Sequence, residues 1–259
     1  GITVSDVDSP NLTSATVSIT SGFASAQDSL AFAKQNGITG SYNSSTGVLT
    51  LTGSDTVGNY QTALRSVTYN NSSDNPSVTP RTISFVVNDG AINSTTATRN
   101  INITVVNDVP VATATNSALA YTENTTTTID SGITVSDVDS PNLASATVSI
   151  TSGFASAQDI LAFTNQNGIT GSYNSSTGVL TLNGSSTVAN YQAALGSITY
   201  TNSSDNPNPT PRTVSFIVND GTADSTILTR TINITAVNDA PVVTNLITDQ
   251  IATEDTTFN

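Results

Sequence analysis

Ala146-Thr147-Val148-Ser149-Ile150-Thr151 alternates apolar with polar residues, the period-two pattern of a half-buried β-strand. Ala15-Thr16-Val17-Ser18-Ile19-Thr20 repeats it 131 residues earlier. Outward from this pair the same period continues. Val179-Leu180-Thr181-Leu182 follows a polar turn, 173–178, that ends in glycine. Val214, Phe216 and Val218 alternate with Ser215 and Ile217, and the apolar Ile217 on the second face marks a central strand. Ile232, Ile234 and Ala236 point one way, Asn233 and Thr235 the other. Short strands between Asn-, Gly-, Ser- and Asp-rich turns predict an all-β chain of antiparallel β-sandwiches. One segment departs from period two. Val188, Tyr191 and Leu195 stand at i, i+3 and i+7 behind Ser186 and Thr187, which predicts a capped short helix across one end of each sandwich. Its twin carries Val57, Tyr60 and Leu64. Tyr and Leu at that spacing are core.

The repetition sets the domain plan. Residues 1–10 return letter for letter as 132–141. Val105-Val106-Asn107-Asp108-Val109-Pro110 returns as Ala236-Val237-Asn238-Asp239-Ala240-Pro241. Proline cannot donate to a sheet ladder, so each copy ends a strand and opens a new unit. The expected domains are 1–109, a sandwich without its first strand; 110–240, complete; and 241–259, the opening of a third. Ile247, Ile251 and Phe258 are the apolar remnant of that third opening strand. The sequence reads as a slice of a longer array. Head-to-tail strand donation between separate chains is the alternative.

Composition narrows the chemistry. Nineteen acids face six bases, for a net charge of −13, which disfavours nucleic acid and anionic membranes as partners. Cysteine and histidine are absent. That excludes disulfides, zinc–thiolate sites, thiol catalysis and the usual general base. No apolar run approaches the roughly 20 residues of a membrane span. An acidic, Ser/Thr/Asn/Gly-rich chain suits the extracellular space or cell surface, where divalent cations relieve its self-repulsion.

Three acidic motifs recur. Asp-Val-Asp stands at Asp6/Asp8 and Asp137/Asp139, Asn-Asp-Gly ends a strand at Asp89 and Asp220, and the linkers carry Asn107-Asp108 and Asn238-Asp239. Taken singly, each is first a turn or a strand stop. Taken together, they supply oxygen donors of the kind Ca²⁺ collects, six to eight at a time. Asp108, Asp137, Asp139 and Asp220 at one pole would repel one another without a cation. The only glutamates, Glu123 and Glu254, also stand 131 residues apart, near the start of successive units.

These residues resemble the cadherin calcium pattern. The whole unit is similar to the cadherin-like tandem repeats of very large bacterial surface and secreted proteins, many of them adhesins. The resemblance implies tandem Ig-like or cadherin-like sandwiches with calcium at the junctions. Asn107, Asp108, Asp137, Asp139 and Asp220 would serve the first linker. Glu123, Asn238 and Asp239 would serve the second, and Asp6, Asp8 and Asp89 repeat the set in the first unit. Two departures reduce the carboxylates per site. The place of the cadherin Asp-Arg-Glu motif, 191–197, holds no acid, and Val105 and Ala236 stand where a leading linker acid is expected.

The expectation is therefore a non-enzymatic stalk module of an extracellular fibre or adhesin, partnered by neighbouring repeats. Homotypic and host-surface contacts remain open. The rival is a calcium-dependent glycan-binding or cell–cell recognition module, disfavoured by the absence of tryptophan. Paired aspartates could serve glycoside hydrolysis, but here the acidic pairs sit at repeat junctions.

Overall fold

The computed structural model describes residues 1–245, 251 and 253–255. The opening strand expected in 241–259, with Ile247 and Phe258, lies mostly outside the described residues. Contacts divide the chain into two compact units, Gly1–Asp108 with Val138–Ser140, and Val109–Asp137 with Pro141–Asn259.

In the first unit the chain runs β1 (Asn11–Ser21), β2 (Asp28–Ala31), β3 (Thr39–Asn43) and β4 (Val48–Thr56) into helix α1 (Val57–Ser66). It continues through β5 (Thr68–Asn71), β6 (Arg81–Asn88) and β7 (Ala97–Ile101). A five-stranded sheet in the order β3-β4-β1-β6-β7 faces the pair β2-β5 across one core. Every pairing is antiparallel. Ala15, Val17 and Ile19 are buried, as their alternation requires.

The second unit opens with four elements that residues 1–108 do not contain: β8 (Val111–Thr113), β9 (Leu119–Thr122), β10 (Thr127–Thr128) and β11 (Thr134–Ser136). Then the first unit's order returns as β12 (Asn142–Ser152), β13 (Asp159–Ala162), β14 (Thr170–Asn174), β15 (Val179–Thr187), α2 (Val188–Gly196), β16 (Thr199–Asn202), β17 (Arg212–Asn219) and β18 (Leu228–Thr235). A six-stranded sheet, β14-β15-β12-β17-β18-β9, shares its core with the three-stranded sheet β10-β16-β13. As the apolar Ile217 indicated, β17 is interior, between β12 and β18.

Two details differ from the expected antiparallel sandwich. The edge pair β18–β9 is parallel, with Ile234 opposite Tyr121. A parallel partner needs a long crossover, and here the whole body of the unit supplies it. Ala236 is exposed because the strand ends at Thr235, one residue before the alternation does.

Each helix is fixed at both ends of its first two turns. The Thr187 hydroxyl caps α2 by accepting from the Asn190 N–H. Tyr191 then donates its hydroxyl to the Gly184 carbonyl at 2.7 Å. Gly184 holds φ +133°, and a Cβ there would lie 2.3 Å from the Gly168 oxygen, so only glycine fits. Among the described residues no helix is long and apolar enough to cross a membrane.

Candidate metal centre

The two acidic motifs of the first unit meet at one end of its sandwich. Asp6, ahead of β1, accepts from the Asp8 and Ser9 N–H groups at 3.2 and 2.9 Å. Asp89, just past β6, accepts from the Ala91 and Ile92 N–H groups and from the Ser9 hydroxyl at 3.4 Å. The Ser9 and Asp8 N–H groups hold the Asp6 carboxyl below its ordinary value, and the Ile92 and Ala91 N–H groups do the same for Asp89. Ser9 thus ties the Asp6/Asp8 turn to Asp89. In the second unit Asp220 makes the same turn, accepting from Thr222 and Ala223 at 2.6 and 2.7 Å. The turn reading of these motifs is realised.

The linker residues also form repeated local structure. Asn107 donates its amide to the Asp108 carbonyl at 2.8 Å, and Asn238 does the same to Asp239 at 3.2 Å. The Asp108 N–H donates to the Asp139 carboxylate at 3.1 Å, which brings two of the expected ligands together. Asp137 falls in the second unit.

Glu123 is the most distinctive member of the set. It follows β9, and its N–H extends the parallel ladder to the Thr235 carbonyl at 3.1 Å. That register turns the side chain onto the second linker, where Oε1 accepts from the Val237 N–H at 2.8 Å. Asn238 and Asp239 are the next two residues. Glu123 is only 2% exposed, and its Oε2 is buried with no hydrogen-bond partner. Leaving such an oxygen unsatisfied costs about 1–3 kcal/mol, and more when it is charged. A bound cation, a proton or an ordered water would each offset that cost.

Among the described residues no three carboxylates converge closely enough to hold a metal by themselves. Any calcium site here would have to draw on Glu123 together with Asn238, Asp239 and backbone carbonyls. That donor set is all oxygen, as a hard cation requires.

Sequence reasoning missed a buried charge network. Asp159 and Arg212 are fully buried and joined at 3.0 Å. Asp159 also accepts from the Tyr200 hydroxyl at 2.5 Å, the Asn202 amide at 2.6 Å and the Ala155 N–H at 2.7 Å. Arg212 donates onward to the Asn208 and Thr210 carbonyls. The first unit repeats the network with Asp28, Arg81, Tyr69 and Asn71. A signal was present: of only six basic residues, Arg81 and Arg99 recur as Arg212 and Arg230. In so acidic a chain, a repeated arginine marks a specific partner. Arg230 has one too, Asp130, at 2.6 Å.

Comparison with known proteins gives the following. No family model matches the chain. It is similar to halomucin of Haloquadratum walsbyi, 28% identical over 295 aligned positions that take in 74% of this chain. The match spans about 3% of halomucin's length. Solved structures that resemble it include domains 1–6 of the surface-layer protein SbsC, with a TM-score of 0.31 and 10% identity over 85% of this chain and 21% of that one. Extracellular cadherin domains 1–5 of protocadherin gamma B2 resemble it with a TM-score of 0.32 and 15% identity, over 82% of this chain and 33% of that one.

Proposed function

We propose that the chain is a non-enzymatic stalk segment of an extracellular fibre or surface adhesin, in which calcium bound beside each linker stiffens the string of sandwiches. The observation that carries this reading is the buried, unpartnered Oε2 of Glu123 beside Val237. Glu123 arrives just past β9, and the linker arrives just past β18, the last strand. An ion held by both would fasten the end of β9 to the exit of the unit. Each such ion would also fix the direction in which the chain leaves, so that a flexible array becomes a rod. The similarity to a short stretch of a far longer protein agrees with a repeat whose role is length. The glycan-binding alternative lacks a platform: every tyrosine is buried or half-buried.

Isothermal calorimetry of the 259-residue chain and of Glu123→Gln tests the proposal. The variant should lose one calcium equivalent or weaken it at least about tenfold, a 1.4 kcal/mol effect. Unchanged stoichiometry and affinity would remove Glu123 from the site.

A further inference from the structure

The second unit is entered and left at opposite ends of one strand pair. β9 lies near its entry and β18 at its exit, and the two run parallel, from Leu119 opposite Ile232 to Thr122 opposite Thr235. In a parallel pair the start of one strand lies at the far end of the ribbon from the finish of the other. Tension between entry and exit therefore slides β9 along β18 and loads the whole ladder at once. An antiparallel pair in the same place would open one bond at a time. Side chains fasten the ribbon at both ends. At the entry end, Asp130 accepts from the Thr115 N–H and hydroxyl at 2.8 and 2.7 Å and pairs with Arg230 of β18 at 2.6 Å. Thr115 precedes β9, so the incoming chain is tied to the outgoing strand before the ladder begins. Asp130 is 1% exposed, which keeps water from competing for these bonds. At the exit end, Glu123 accepts from the Val237 N–H at 2.8 Å. Between them Tyr121 is fully buried, edge-on to Tyr200 at 4.8 Å, and its hydroxyl accepts from the Asn202 N–H at 2.8 Å.

We propose that β9, β18 and the Thr115–Asp130–Arg230 bridge form a shear clamp, through which the second unit carries tensile load between its two linkers. The ladder resists sliding, the buried Tyr121 ring anchors β9 to the opposite sheet, and the Asp130 bridge takes load that would otherwise fall on the first ladder bonds. All of these parts belong to the second unit itself. The proposal rests on the stalk reading for the source of the load and not on bound calcium. Its test is therefore run in chelator, where failure of the calcium site leaves the outcome unchanged.

The chain has no cysteine, so introduced thiols give unique attachment points for single-molecule pulling on the 259-residue protein. Thr113→Cys with Ala240→Cys pulls from opposite ends of the ribbon. Thr122→Cys with Ala240→Cys pulls from the same end, and all three positions are exposed. At one loading rate the first pair should unfold at a force about twofold higher or more, since forced unfolding reads the barrier rather than the net stability. Asp130→Asn should lower the first force and leave the second unchanged, because peeling starts at the end of the ribbon away from Asp130. A strand pair that serves stability alone would respond alike in both geometries. Equal forces in the two geometries, or a first force untouched by Asp130→Asn, would overturn the proposal.

Discussion

Residues 1–108 and 132–239 are near copies, yet the same side chains live in different surroundings. Tyr200, Phe216, Val218 and Ile232 are fully buried, whereas Tyr69, Phe85, Val87 and Ile101 are half-buried. Strand β18 runs for eight residues and its counterpart β7 for five. What separates the two units is the segment 109–131. Burial in this fold is therefore a property of the repeat and its opening strand together. For the 259-residue stretch taken alone, the second unit should be the more stable, since each large apolar side chain removed from water contributes about 1.5–3 kcal/mol.

The largest effect tests what the units share. Asp159→Ala leaves Arg212 buried without its carboxylate and should cost about 3–5 kcal/mol. Asp28→Ala should lower the first unit's transition instead, and two-transition calorimetry resolves the pair. A loss in the wrong transition would show that the two networks are not independent.

Next comes what they do not share. Tyr121→Ala removes a buried ring and its hydrogen bonds and should cost the second unit about 3–4 kcal/mol. Denaturant unfolding should then find the two units close in stability. If the second unit remains well above the first, Tyr121 is not what closes the core.

Acid should also separate the units. Burial alone would raise the Asp130 carboxyl, but the Thr115 hydroxyl and N–H, with Arg230, hold it below the ordinary value. A depressed folded pKa gives stability that is present above the unfolded value, about 3.9, and lost as pH falls through the folded one. Asp130→Asn should cost about 1–3 kcal/mol at neutral pH. It should also flatten the second unit's stability profile below about pH 4. A profile unchanged from the parent chain would break the link to Arg230.

The smallest effect should be equal in both halves. Thr56→Ala and Thr187→Ala each remove a helix N-cap and should cost about 1 kcal/mol. Unequal losses in the two melting transitions would mean that the helices are not equivalent.

Much of this was legible beforehand for a physical reason. Alternation of Ala146, Val148 and Ile150, and the i, i+3, i+7 spacing of Val188, Tyr191 and Leu195, report local geometry that tertiary contacts then reuse. The Asx turns at Asp6 and Asp89 are equally local. The parallel β9–β18 pair was not legible, because period two carries no strand direction. Nor was the Asp159–Arg212 pair, since charged residues are read as surface and only their fixed recurrence signals otherwise. Glu123 falls between these cases. Its position was marked by its twin Glu254, but its burial in the Thr-rich stretch 122–128 is set by the parallel register.

The central claim is that an ion joins Glu123 to the second linker, and anomalous diffraction from calcium-soaked crystals tests it most directly. The account predicts a peak within about 2.3–2.6 Å of Glu123 Oε2, with Asp239 or Asn238 completing the oxygen shell. Clean density with no peak there, at a calcium concentration that saturates binding in solution, would contradict it.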